Sequence, residues 1–128
     1  MSVYGVGGVF IKSKDPDARK AWYRDRLGMT LNEWGGFDFL HSASSEKFGG
    51  GARTIFSHFK ADHDYFDPSP HPAMINLIVD DLDTLVEQLE AAGETMIGEP
   101  ISESYGKFAW VMDPDGFKIE LWQPPEVP

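Results

Sequence analysis

Twice along this chain a strand-like run gives way to an aspartate-capped helix that stops at a glycine, with the same spacing each time. Asp15 to Gly28 and Asp80 to Gly93 both span thirteen positions. Asp15-Pro16 sets an N-cap beside a proline suited to the first helical position, Ala18, Ala21, Trp22, Tyr23 and Leu27 supply an apolar face, and Gly28 ends the helix. In the second copy Asp80-Asp81 caps, Leu82, Leu85, Val86 and Leu89 fall at helical spacing, and Gly93 is the stop. Val6 to Lys12 precedes the first helix and Met74 to Val79 the second, both reading as strands. About three further strands follow each helix, so the order is βαβββ, twice. One helix covers only one face of such a sheet, which is why two units should pair. The expected fold class is therefore α+β: two βαβββ modules pairing to form a curved mixed sheet around a cleft, helices on the outer face. A single domain over residues 1–128 is expected, with module one about 4–60, a connector at 61–73 and module two about 74–124.

The last module carries the sharpest local signal. In Asp113-Pro114-Asp115-Gly116 the proline pre-sets the first turn residue, and the glycine takes the left-handed position that closes a type I turn with a bulge. Lys107 to Met112 and Phe117 to Trp122 are then antiparallel partners, and the bulged register puts Trp110 on one face with Glu120. Ala109, Val111, Ile119 and Leu121 share the opposite face, apolar throughout, which should meet the helices. In the first module Met29 to Leu31, Phe37 to His41 and Arg53 to Phe59 are strand candidates, with Gly35-Gly36 as a hairpin turn between the first two. Lys60 to Pro72, with three prolines among acidic and aromatic residues, reads as a long connector with Tyr65 and Phe66 anchored on the body. Its His63 and His71 read as solvated loop histidines, with metal binding as the alternative.

Charge narrows the function classes. The net charge of −10 argues against nucleic acid and membrane surfaces, both polyanionic, and would suit a cationic ligand. With no cysteine, thiolate nucleophiles, thiolate metal sites and disulfides are excluded. Neither a signal-like opening nor a membrane-length apolar run occurs, so a cytoplasmic protein is expected. The Gly5-Val6-Gly7-Gly8 run precedes its strand and no Gly-Lys-Ser/Thr follows, so it is not a nucleotide loop.

The residues Phe10-Ile11-Lys12-Ser13-Lys14-Asp15-Pro16, Trp22-Tyr23 with Leu27-Gly28, Val79-Asp80-Asp81-Leu82-Asp83 with Ala91-Ala92-Gly93, and Asp113 through Trp122 together resemble the vicinal oxygen chelate superfamily. That group includes glyoxalase I, bleomycin resistance proteins and extradiol dioxygenases. The resemblance covers essentially the whole chain and implies paired modules around a cleft, a divalent metal commonly held there by His, Gln or Glu, and frequent pairing across a dimer. Of the metal positions it implies, Glu120 is matched. The first-strand position falls at Gly8 and its second-module counterpart at Met74, while the remaining one lies near Thr54, Phe56 or His58. Glycine offers no ligand atom and methionine sulfur suits only soft metals, so no metal is expected, with a divalent metal as the alternative.

What the fold would leave is a cleft with inward positions at Gly8, Phe10, Lys12, Phe56, His58, Asn76, Trp110, Glu120 and Trp122. Aromatic walls with a few polar points describe a small-molecule site. Phe10, Lys12, Phe56, Asn76, Trp110 and Trp122 are the candidate ligand-binding residues, with Glu120 and His58 as candidate catalytic groups. Burial would make Glu120 a general base, and a neighbouring Lys12 or Lys118 would oppose that. The expected function is metal-free binding of a cationic or aromatic small molecule by a homodimer. The alternative is a metal-dependent or Glu-base lyase, isomerase or dioxygenase of the glyoxalase type.

Overall fold

The structure, a computed structural model, describes residues 1–126. Among these residues three α-helices, α1 (Pro16–Leu27), α2 (His41–Phe48) and α3 (Leu82–Ala91), accompany four strands, β1 (Ile75–Ile78), β2 (Ile101–Glu103), β3 (Gly106–Met112) and β4 (Lys118–Gln123), and a 3-10 turn at Gly49–Gly51 follows α2. The strands form one mixed sheet in the order β1-β4-β3-β2, with β1 parallel to β4 and the other pairs antiparallel. The parallel pair requires a crossover, and α3 begins it. Among the described residues no helix is long and apolar enough to cross a membrane.

Both caps form as their residues dictate. The Asp15 carboxylate accepts from the Ala18 amide at 3.1 Å, Pro16 opens α1, and Gly28 closes it at φ 67°. Asp81, the second of the two aspartates, caps α3 by accepting from the Thr84 amide and hydroxyl. Gln123 at the end of β4 accepts from the Leu82 amide, satisfying another helix-start donor from the sheet itself. The hairpin turn is the bulged one: the Asp113 amide donates to the Phe117 carbonyl and the Gly116 amide to the Asp113 carbonyl, with Gly116 at φ 80°. Its register sets Trp110 opposite Glu120, and Ala109 and Val111 opposite Leu121 and Ile119.

Those four apolar residues are at most 1% exposed and form the core with Tyr23 of α1 and Leu82, Val86 and Leu89 of α3. Alternation along the two strands thus gives one face to the helices and leaves the other, with Trp110 and Glu120, for the site. Gly106, at φ 126°, lets β3 start close to its neighbour, since a Cβ there would lie 2.5 Å from the Gln123 carbonyl oxygen.

A second network ties α1 to the hairpin. Asp113, whose side chain is fully buried, accepts on one oxygen from Arg19 and from the Tyr23 hydroxyl, and on the other from the Asp115 and Phe117 amides. Arg19 also reaches Asp115 at 3.1 Å and lies over the Phe117 ring. The Tyr23 hydroxyl is pushed to a higher pKa by burial first and by the Asp113 carboxylate second, so it stays a donor.

The first module differs from the sequence expectation. Val6 to Lys12, Met29 to Leu31, Phe37 to His41 and Arg53 to Phe59 form no ladder. A strand exists only with a partner for its N–H and C=O groups, and none lies alongside these runs among the described residues. Gly35-Gly36 does make a turn, organised by Asn32, whose side-chain oxygen accepts from the Trp34 and Gly36 amides. His41 does not end a strand but begins α2, which the sequence reading missed. That helix has no side-chain cap and no buried residue, so the apolar periodicity that betrays a helix is lacking. Apolar side chains on the unpaired runs stand in water: Phe10 is 95% exposed and Phe56 76%.

Replacing Asp113 by alanine should strand the buried Arg19 guanidinium and two amides. Urea unfolding is expected to show a loss of about 3–5 kcal/mol, the range for breaking one side of a buried pair, against about 1 kcal/mol for the cap variant Asp15→Ala. Equal, small losses in the two variants would remove Asp113 from this role.

Candidate functional site

On the sheet face away from the helices, register alone assembles a row of three. Asn76 of β1 lies beside Glu120 of β4, and Glu120 beside Trp110 of β3. The Asn76 amide nitrogen donates to Glu120 Oε1 at 2.7 Å, and Trp110 Nε1 donates to Oε2 at 2.8 Å. A carboxylate only accepts, so its company assigns the Asn76 nitrogen as the atom that faces it. The third donor comes from the connector: the Tyr65 hydroxyl gives a short hydrogen bond to Oε2. Glu120 is 8% exposed, and three of its roughly four lone-pair positions are taken.

Aromatic rings extend the row. Phe108 stacks near-parallel between Trp110 and Trp122, at centroid distances of 6.4 and 6.3 Å. Trp122 is nearly buried and donates to the Tyr105 carbonyl, so it is a wall and not a free hydrogen-bonding group. Tyr65 stands edge-on to Trp110 and parallel to Phe59, with ring centroids 5.7 Å apart in the second pair. Lys118, next along the same face, donates to the Tyr65 carbonyl at 2.7 Å, and its ammonium lies 5.0 Å from the Tyr65 ring centre.

Burial acts on both titratable neighbours. It lowers the Lys118 pKa first, while Glu120, Asp67 and Asp64 pull it back up. It raises that of the Tyr65 hydroxyl, and the bond to Glu120 raises it further, so the phenol remains a donor.

Of the residues singled out from sequence, the structure brings together Asn76, Trp110, Glu120 and Trp122. Lys118, weighed there as a neighbour of Glu120, joins them. Phe10 and Lys12 lie on the exposed amino-terminal run, and Phe56 packs edge-on against His58 on another exposed run. None of these four hydrogen-bonds to the Glu120 cluster among the described residues. Tyr65 is the site residue that sequence reasoning treated only as an anchor. A loop residue meeting a strand fifty-five positions away leaves no periodic trace. His71, expected in solvent, stacks on Phe117 at 4.2 Å and bonds to the Asp115 carbonyl.

The fit of a metal can be judged from the atoms around Glu120. They are N–H and O–H donors, which stabilise a carboxylate but present hydrogens where a cation would need lone pairs. Gly8 contributes no donor atom. Among the described residues no three His, Cys, Asp or Glu gather in a way that could hold a metal ion. These residues do not fit the divalent centre that the resemblance implies. As a base, Glu120 would have one lone pair left on Oε1 to offer a substrate. A groove of about 620 Å³ between α2 and α3 includes none of the Glu120 cluster.

Comparison with known proteins gives a consistent picture. The family profile described as Glyoxalase/Bleomycin resistance protein/Dioxygenase superfamily matches residues 5–121. Among solved structures, TnmS3, an antibiotic binding protein from Streptomyces sp. CB03234, is 21% identical with a TM-score of 0.59, the match covering 98% of this chain and 99% of that one. A protein of unknown function from Agrobacterium tumefaciens str. C58 is 20% identical over 95% of this chain and 98% of its own, with a TM-score of 0.55. Hypothetical protein SA1046 from S. aureus is 28% identical, but the match covers 42% of this chain and only 50% of that one, with a TM-score of 0.37. No curated protein matches the chain.

Three donors converge on the Glu120 carboxylate, so Glu120→Gln removes the charge from three bonds at once. Chemical unfolding of Glu120→Gln should show a loss of about 1–3 kcal/mol. A change below about 0.5 kcal/mol, the usual surface value, would mean that the donors are not held by the charge.

Proposed function

We propose that this chain, which belongs to the Glyoxalase/Bleomycin resistance protein/Dioxygenase superfamily, is a small-molecule-binding protein that needs no metal ion. The observation carrying this reading is the set of three neutral donors, Asn76, Trp110 and Tyr65, that converge on the oxygens of Glu120. Such an arrangement suits recognition of a polar group on an aromatic wall and offers a cation nothing beyond the carboxylate itself. The full-length likeness to TnmS3, described as antibiotic-binding, supports the same class of function. The ligand is an aromatic compound, with or without positive charge, lying along Trp110, Phe108 and Trp122. Fluorescence titration with matched neutral and cationic aromatic compounds should quench tryptophan emission saturably, equally well after exhaustive chelation. Loss of binding on chelation, restored by one divalent metal, would instead favour a glyoxalase-type enzyme.

The face completes itself in a homodimer. Module one, about 4–60, supplies strands to a second copy, joined through the connector 61–73 to module two, about 74–124. Two features support this. One edge of β1 is unpaired among the described residues, and the apolar runs around Phe10 and Phe56 are exposed where strands were expected. Pairing would bury those runs and bring Phe10, Lys12, Phe56 and His58 toward a cleft. Sedimentation equilibrium at micromolar concentration should give twice the chain mass. A monomer mass there would dismiss the paired assembly while leaving the Glu120 face intact.

A further inference from the structure

Tyr65 touches the Glu120 face in the way a ligand would. Its hydroxyl sits on Oε2, its ring lies parallel to Phe59 at 5.7 Å and edge-on to Trp110, and the Lys118 ammonium stands 5.0 Å from the ring centre. A carboxylate acceptor, two aromatic neighbours and a cation over the π-face are together the elements that recognise a phenol. Tyr65 arrives on the connector, a loop that belongs to no strand or helix, and is itself only partly buried. Asn76 and Trp110, by contrast, reach Glu120 from neighbouring strands, whose register sets each of them directly beside it.

The local charge also selects. With Asp64 and Asp67 also near enough to act on its ammonium, Lys118, 8% exposed, sets a positive charge on the same face as Glu120, so the subsite offers a carboxylate and an ammonium side by side. A neutral hydroxyl donor on an aromatic ring meets both groups favourably. Burial and Glu120 together keep the Tyr65 hydroxyl protonated, so the position is kept by a donor and not by a phenolate.

We infer that the Glu120 face is a hydroxyaromatic subsite, and that Tyr65 holds the place of the ligand's phenolic ring until a ligand displaces it. This rests on the binding function proposed above and names its ligand class. Tyr65 thereby sets both specificity and threshold, since a ligand must outcompete a tethered phenol of high effective concentration.

Removing the tethered ring should open the subsite to a free one. In Tyr65→Ala, p-cresol should quench tryptophan fluorescence with a Kd at least about tenfold lower than in the wild type or in Tyr65→Phe. Toluene, which has the ring and no hydroxyl, should bind Tyr65→Ala at least about tenfold more weakly than p-cresol. Equal affinity for p-cresol and toluene, or for wild type and Tyr65→Ala, overturns the inference. A measurement on the wild type covers the case in which Tyr65→Ala does not fold. With fluorotyrosine incorporated, the fluorine NMR signal absent from Tyr65→Phe identifies Tyr65. It should shift as p-cresol is added and stay in place with toluene; a signal unmoved by p-cresol overturns displacement. Because p-cresol probes the subsite alone, success here with no binding of larger aromatic compounds would reject the proposed function and keep the subsite. Binding of those compounds without discrimination between p-cresol and toluene would do the reverse.

Discussion

The carboxylate of Asp113 is the point on which the rest of the molecule turns. It holds the bulged hairpin from within, through the Asp115 and Phe117 amides, and it holds α1 from outside, through Arg19 and Tyr23. Hydrophobic contact alone would let α1 slide or rotate over the core, because such contact has no direction. A fully buried ion pair with hydrogen bonds of fixed geometry does not allow that, since any displacement leaves a charge unpaired in a low-dielectric setting. The turn then sets the register of β3 and β4, and that register aligns Trp110 with Glu120.

Two carboxylates on one hairpin thus take opposite parts. Asp113 is matched by a guanidinium, a phenol and two amides, all built into α1 and the turn. Glu120 is matched by neutral donors, one of them on a loop. The difference follows from position. The end of the hairpin meets a helix bearing a cation, whereas the outer face of the strand meets its neighbours and the connector. Lys118 shares that face but spends its ammonium on the Tyr65 carbonyl and on two aromatic rings, and so fixes the loop without capturing the carboxylate. A carboxylate held this way has three of its acceptor positions already filled by neighbouring donors.

What is local in the fold was legible in the residues. Asp15, Asp81, Gly28 and Gly93 mark their helix ends because a cap needs only atoms within a turn or two. The turn Asp113 to Gly116 was legible for the same reason, and with period-two alternation it told which side chains share a face. The exposed runs of the first module have strand-like composition, yet composition cannot supply a neighbour. Without one, Val6 to Lys12 and Arg53 to Phe59 join no ladder among the described residues. The helix α2 escaped notice because it buries nothing, and burial is what writes periodicity into a sequence.

By itself, then, the sequence determined the boundaries of α1 and α3, the hairpin register, the pairing of Trp110 with Glu120, and the split between a core face and a site face. Each depends on residues close in sequence or on strict alternation. Only the tertiary structure decided that Arg19 and Tyr23 would find Asp113, that Asn76 would lie beside Glu120, and that Tyr65 would settle on it. Those contacts join residues between forty-four and ninety-four positions apart. Their partners are chosen by how the packed elements meet, a property of the whole chain that no short window of residues contains.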